Sequence, residues 1–212
     1  MKLQIAFDVL DLNKCLEIAQ SVEMYADSFE IRSSLLLKYG TFCIEQFKEH
    51  FPDKELYVET NIVSYAQDIV PMCVKAGADY VSVMAGTSQQ IIHGVAILAH
   101  QKKKSVTLDL LDAHSIGQAA MDAKKLGVDA LLYHNIYDNQ DEAPFAMEEW
   151  DNLRGNTNLP IYITSNIDRN NISFIMSLNP DIIIIGKTIT QAGNPVAEAA
   201  FYFNEIHNQP QL

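Results

Sequence analysis

Ionisable side chains stand at the downstream ends of short apolar runs. Asp8 closes LQIAFD (3–8), and Glu59 closes the apolar part of ELYVET (55–60), with Asn61 two residues on. Glu30 lies in YADSFEI (25–31), with Arg32 two positions later. Asp109 lies in SVTLDL (105–110), and His134 follows LGVDALLY (126–133). Residues two apart on a strand share a face, so Glu30 with Arg32, and Glu59 with Asn61, can point to one place. Carboxylates gathered in one place cost energy unless a cation compensates them. Asp8, Glu30, Glu59 and Asp109 therefore ask for a Mg2+-like ion, a Lys or Arg partner, or both. The plainer alternative is that each is a hydrogen-bonded carboxylate at a strand end. His134 has the side chain best suited to taking and giving a proton near neutral pH.

Two polar turns complete the set. IIIIGKTIT places Gly186 and Lys187 after a run of isoleucines, with Thr188 and Thr190 in the next turn. TSNI (164–167) supplies Ser165 and Asn166 after PIYITS. Exposed backbone N–H groups beside a lysine suit a phosphate, although a glycine after a strand is also ordinary turn chemistry.

The elements that carry these residues form a repeat. YADSFEI, AGADYVSV (76–83), LGVDALLY and LNPDIIII (178–185) each have a turn-like residue, an aspartate and an apolar run. The aspartates fall at 27, 79, 129 and 181, separated by 52, 50 and 52 residues. Between them lie LQIAFD, ELYVET, SVTLDL and PIYITS (160–165), which makes eight runs about 25 residues apart. Runs this short and apolar suit strands buried on both faces. The stretches between them read as helices. LNKCLEIAQSVEMY puts Cys15, Ile18, Val22 and Tyr25 on one stripe, the helix through AHSIGQAAMDAKKLG stops at Gly127, and DRNNISFIMSL opens on Asp168 as an N-cap. Trp150 is expected to pack inside a helix, His93 and His100 to lie at the surface, and His114 to help cap a helix. Eight strand–helix units in 212 residues predict an α/β fold, a (β/α)8 TIM barrel spanning residues 1–212 as one domain. An open doubly wound sheet is the alternative, and the missing GxGxxG after the first run weakens its dinucleotide-binding version.

Composition narrows the partners. With 27 Asp+Glu against 15 Lys+Arg the net charge is −12, so no broad positive field attracts nucleic acid or an anionic membrane, and an anionic ligand needs a local device. No run of about 18 apolar residues predicts a membrane span, and the start reads as neither signal peptide nor anchor. Cys15, Cys43 and Cys73 are odd in number and not closely paired, as expected of buried cytoplasmic thiols.

The chain resembles the orotidine monophosphate decarboxylase superfamily. Within it, the chain resembles 3-hexulose-6-phosphate synthase and 3-keto-L-gulonate-6-phosphate decarboxylase. The likeness runs through LQIAFDVLDL, FEI (29–31), AGADYVSV, VTLDLL, HNIYDNQ (134–140, with His134, Asp138 and Gln140) and IGKTITQAGNP. It implies a homodimeric barrel acting on a phosphorylated ketose such as a pentulose phosphate, through an enediolate on Mg2+. Carried over by position, Glu30 and Glu59 would bind the metal, His134 would be the acid/base group, and Ser165–Asn166 with Gly186–Lys187 would hold the phosphate.

Departures from the pattern cluster at the expected mouth. Where the superfamily has D-x-K-x-x-D, this chain has Glu59, Asn61 and Ser64; its usual Gly-Thr-Pro is Arg32-Ser33-Ser34, and its Gly-Gly is Ser165-Asn166. Asn61 cannot carry charge. Arg32 is expected to supply the missing cation and to orient a substrate or enediolate oxygen. The expected activity is that of a sugar-phosphate carbon–carbon lyase or aldolase. The candidate catalytic residues are His134, Glu59, Asp8, Asp109, Asn61 and Arg32. The alternative is a catalytically silent sugar-phosphate-binding barrel. Orotidine monophosphate decarboxylase activity is disfavoured because the alternating Asp and Lys are absent, and an epimerase because only His134 stands at a strand end.

Overall fold

The computed structural model describes residues 1–134 and 147–208. Eight parallel strands close into a barrel in chain order. They are β1 (Lys2–Phe7), β2 (Ser28–Ile31), β3 (Glu55–Ile62), β4 (Tyr80–Met84), β5 (Ser105–Asp109), β6 (Ala130–His134), β7 (Ile161–Thr164) and β8 (Ile182–Ile185). The helices are α1 (Leu12–Val22), α2 (Ser33–Tyr39), α3 (Phe42–His50), α4 (Ala66–Ala76), α5 (Gln89–His100), α6 (Ile116–Leu126), α7 (Met147–Gly155), α8 (Ile172–Ser177), α9 (Lys187–Thr190) and α10 (Pro195–His207). All eight expected runs are strands of this barrel.

The register separates the two faces of each strand. Ala6, Tyr57, Ala130, Leu132, Tyr162, Ile182 and Ile184 pack together inside the barrel. Alternate residues such as Ile5, Phe7, Phe29, Val58 and Ile183 join the larger core against the helices. The inward parity continues upward from Ala6 to Asp8, from Tyr57 to Glu59 and Asn61, from Leu132 to His134, and from Ile184 to Gly186. The chain therefore fills its barrel with apolar and aromatic residues below and ends it in polar residues at the C-terminal mouth.

The repeating aspartates clamp the opposite end. Each takes the backbone N–H of the preceding strand: Asp27 from Leu3 (2.7 Å), Asp79 from Leu56 (3.0 Å), Asp129 from Val106 (2.8 Å) and Asp181 from Ile161 (2.8 Å). Each also donates its own N–H to that same residue's carbonyl. The repeat thus ties odd strands to even ones at the N-terminal rim, where strand ends otherwise leave donors unpaired. Asp79 carries the largest load, with Lys104 Nζ at 2.6 Å and Lys48 Nζ at 2.7 Å. Burial pushes its carboxyl up, but the two ammonium groups and the Leu56 N–H outweigh that and hold it below its ordinary value. Asp79→Ala should lower stability by about 1–3 kcal/mol at pH 7 in urea unfolding. A carboxylate with a depressed folded-state pKa contributes above its unfolded value, about pH 4, and loses that contribution as pH falls through the lower folded value. The gap between wild type and variant should therefore narrow below pH 4.

Local signals account for several helix ends. Asp11, Ser88, Ser115 and Asn194 cap α1, α5, α6 and α10 through their side chains, and Gly127 ends α6 at φ 86°. Three expectations need correction. Tyr25 lies beyond the end of α1, in a 3-10 turn, half-buried. Asp168 accepts the N–H groups of Asn170 and Asn171, so it caps a preceding turn, while α8 starts after Asn171. Ser115, not His114, caps α6. Trp150 is buried on α7, His93 and His100 are exposed, and the three cysteines are buried and free, as expected. Among the described residues no helix is long and apolar enough to cross a membrane.

Candidate active site

A buried ion pair network lies under the ends of β1, β2 and β3. Glu30 is fully buried; its Oε2 accepts from Gln4 Nε2 at 2.7 Å, and Ser28 Oγ donates to Gln4 Oε1 at 3.0 Å. Arg32 leaves β2 in an extended conformation, so its side chain returns over the barrel mouth. Its Nη1 lies 2.9 Å from Glu30 Oε1 and 3.5 Å from Glu59 Oε1. The remaining oxygen, Glu59 Oε2, accepts the N–H of Ser33, the first residue of α2, at 2.7 Å. Burial works against the charge on Arg32, and Glu30 and Glu59 more than offset it, so the guanidinium is held firmly charged. Burial pushes the Glu30 carboxyl up, with Arg32 pulling it down and Glu59 pushing it further up.

A second pair stands across the mouth. His134 Nε2 approaches Asp109 Oδ1 to 2.9 Å, while Asp109 Oδ1 also accepts the N–H of Leu111 at 2.9 Å. The approach is close but off the hydrogen-bonding line: His134 Nε2 and Asp109 Oδ2 are both buried with no hydrogen-bond partner among the described residues. Buried polar atoms are normally satisfied, so among the described residues this pair has hydrogen-bonding capacity to spare. Tyr57 links the two clusters. Its hydroxyl is buried; burial, then Glu30, Asp109 and Glu59, push it well above the ordinary phenol value, with the Ser82 hydroxyl pulling the other way.

The third part is a cavity of about 190 Å³ lined by Ala6, Asp8, Arg32, Thr164, Ser165, Asn166, Gly186, Lys187 and Thr188. Its two turns are strapped together by Thr188 Oγ1 donating to the Ile167 carbonyl at 2.7 Å. Asp8 accepts from Thr190 Oγ1 at 3.3 Å. Lys187 is exposed and has no ion pair among the described residues. An unpaired lysine facing a cavity in a chain of net charge −12 is a local device for an anion.

The structure therefore brings Asp8, Arg32, Ser165, Asn166, Gly186 and Lys187 to one cavity, with Glu30 and Glu59 behind Arg32. Asp109 and His134 pair with each other and do not line that cavity. Asn61 sits at a break in register between β3 and β4, at φ 46°. Its N–H donates to Ser82 Oγ and its Oδ1 accepts from the same hydroxyl. Asparagine tolerates this left-handed conformation better than most residues, so Asn61 shapes the bulge and turns its side-chain oxygen to Ser82. Asp138 and Gln140 lie outside the described residues. Sequence reasoning missed Gln4 and Tyr57. Gln4 had a signal, because an amide inside an apolar run at inward parity must find a buried partner.

The expected Mg2+ site can be tested on this donor set. Every oxygen of Glu30 and Glu59 already faces a protein donor or the Arg32 guanidinium. Among the described residues no three His, Cys, Asp or Glu side chains are grouped to hold a metal ion. The pair as arranged does not fit Mg2+, which needs oxygen ligands free of a competing cation.

A model of the orotidine 5'-phosphate decarboxylase / HUMPS family matches residues 1–202. The chain belongs to this family. Within it, the chain is similar to 3-hexulose-6-phosphate synthase of Bacillus subtilis, 27% identical over 201 residues that cover 94% of this chain and 96% of that one. It is 26% identical to the 3-hexulose-6-phosphate synthase of Staphylococcus epidermidis, over 94% of this chain and 95% of that one. The crystal structure of 3-hexulose-6-phosphate synthase from Salmonella typhimurium superposes with a TM-score of 0.91 at 25% identity, covering 98% and 99% of the two chains. KGPDC from Streptococcus mutans gives a TM-score of 0.89 at 19% identity over 98% and 97%, a likeness of fold.

Proposed function

We propose that this chain is a sugar-phosphate carbon–carbon lyase or aldolase of the hexulose-phosphate synthase type, acting on a phosphorylated ketose such as ribulose 5-phosphate. The observation that carries the reading is the shared mouth: an unpaired lysine between two polar turns, a pinned guanidinium in the same cavity, and a histidine–carboxylate pair across from it. The phosphate is held by Lys187 and the turns at Ser165–Asn166 and Gly186–Lys187, which provides binding energy remote from the reacting carbons. His134 takes a proton from C1. The electron pair becomes the C1=C2 bond of an enediolate, with the charge on the C2 oxygen stabilised by Arg32 as a fixed donor. C1 then forms a bond to the carbon of formaldehyde, and the aldehyde oxygen takes the proton back from the His134 imidazolium, which stands 2.9 Å from Asp109 Oδ1. Asp8, Glu59 and Asn61 shape the mouth around the ligand. No step is routed through Mg2+.

A homodimer belongs to this reading. Exposed Leu37, Val63, Tyr65 and Leu111 stand in segments that follow β2, β3 and β5, on the mouth side of the barrel. A cytoplasmic location accompanies it, in keeping with three buried free thiols.

The test is a condensation assay with ribulose 5-phosphate and formaldehyde, following formaldehyde loss and the appearance of a hexulose phosphate by NMR. Turnover above a heat-treated control is expected, and its absence with folded protein would count against the lyase. Lys187→Ala should raise KM for ribulose 5-phosphate about threefold to tenfold with kcat little changed, since one partly exposed charge contact is worth about 0.2–1 kcal/mol or somewhat more when charge-assisted. An equal loss in kcat would place Lys187 in the chemistry instead.

A further inference from the structure

We infer that Arg32 is the resident cation of this mouth, standing in the place between Glu30 and Glu59 that a divalent ion would have to occupy, so that the chain holds its ligand without a metal. The inference deepens the proposed reading, and relies on it only for the identity of the ligand. Three observations carry it. First, the guanidinium Nη1 approaches both carboxylates, at 2.9 and 3.5 Å, which is where the negative charge of the pair is concentrated. A divalent cation there would meet a fixed positive charge a few ångströms away, inside a site with little water to screen it. Second, the two outer oxygens are taken as well. Glu30 Oε2 accepts from Gln4 and Glu59 Oε2 from the Ser33 N–H, both at 2.7 Å. Binding a metal through them would leave a buried amide and a backbone N–H without their acceptors. Third, the only Arg32 nitrogen that hydrogen-bonds a carboxylate among the described residues is Nη1, to Glu30. Arg32 Nη2 and Nε have no hydrogen-bond partner among the described residues, and the side chain, 28% exposed, lines the cavity with Lys187. The arrangement leaves a planar, charged, oriented donor pair for oxygens of an anionic ligand.

The charge balance agrees. Arg32 is the cation that faces both carboxylates, and the ligand side of the guanidinium stays positive because Glu30 and Glu59 lie behind it. Lysine in this position would place one point charge and lose the fork that reaches both carboxylates and the cavity at once.

Mn2+ alone is the probe, titrated into chelator-treated protein and read by electron paramagnetic resonance with no sugar phosphate present, so the outcome is independent of any turnover. Wild type should show no bound Mn2+ that Glu59→Gln removes. Arg32→Gly and Arg32→Met, checked for folding by circular dichroism, should free the facing Oε1 atoms of Glu30 and Glu59 and gain one Mn2+ site at least tenfold tighter than anything wild type shows. A stoichiometric Mn2+ in wild type that disappears in Glu59→Gln would overturn the inference, and needs no variant at position 32. Folded Arg32 variants that also fail to bind Mn2+ would overturn it too, because the guanidinium would not then be what occupies the ion's place. Loss of lyase activity with these results unchanged would fail the proposed function and leave the inference standing.

Discussion

Arg32→Met should destabilise the chain by about 3–5 kcal/mol at pH 7.5, because it removes the one cation from two buried carboxylates. The cost should be smaller at pH 5. In the wild type burial already pushes the Glu30 carboxyl up, Arg32 pulls it down, and Glu59 pushes it up again. Without Arg32 the opposing pull is gone, so the folded-state value rises further. A carboxyl raised in the folded state binds its proton more tightly there than in the unfolded chain. Its contribution to stability is present at low pH and is lost as pH rises from about 4.3 through the raised value. Urea unfolding of wild type and variant at pH 5 and 7.5 checks the sign. A penalty equal at both values would mean that lost packing, not uncompensated charge, sets the cost. Arg32→Lys should fall between the two, since it restores charge and not the fork.

His134→Ala should lower kcat/KM for the condensation about 10²–10⁴-fold, the usual cost of a positioned acid/base group. That range corresponds to about 3–5.5 kcal/mol of barrier. Affinity for ribulose 5-phosphate, measured by calorimetry, should change little, because His134 does not line the cavity of the two polar turns. The split between affinity and turnover separates His134 from Lys187, whose loss should act mainly on binding. A matching loss of affinity in His134→Ala would mean that the histidine holds the substrate instead of moving its proton.

Much of the scaffold was legible because its signals are local. Apolar runs bounded by turn residues give eight strands, and Gly127 stops α6 where a left-handed residue is needed. The spacing of Asp27, Asp79, Asp129 and Asp181 gave away the repeat but not its purpose. A hydrogen bond from a strand N–H to an aspartate 20 to 24 residues later depends on how two strands align, and one segment does not encode that. The mouth divides in the same way. Glu30 and Arg32 meet because strand parity puts residues two apart on one face. That Gln4 and Ser33 take the outer carboxylate oxygens, and that Arg32 then stands where a metal was expected, follows from contacts among β1, β2, β3 and α2. Asp168 shows the limit for local signals: it is a good capping residue, and the backbone uses it one turn before α8 begins. Asn61 reads as a lost charge in the sequence, yet in the fold it shapes a strand bulge against Ser82.

The most direct measurement is deuterium exchange at C1 of ribulose 5-phosphate in D2O, followed by proton NMR with chelator-treated protein and again with added Mg2+. Loss of the C1 proton signal in proportion to protein, with or without Mg2+, and its abolition in His134→Ala, is the predicted result. Stabilisation of the protein by ribulose 5-phosphate with no exchange under either condition would contradict it, and would make this barrel a sugar-phosphate binder that performs no enediolate chemistry.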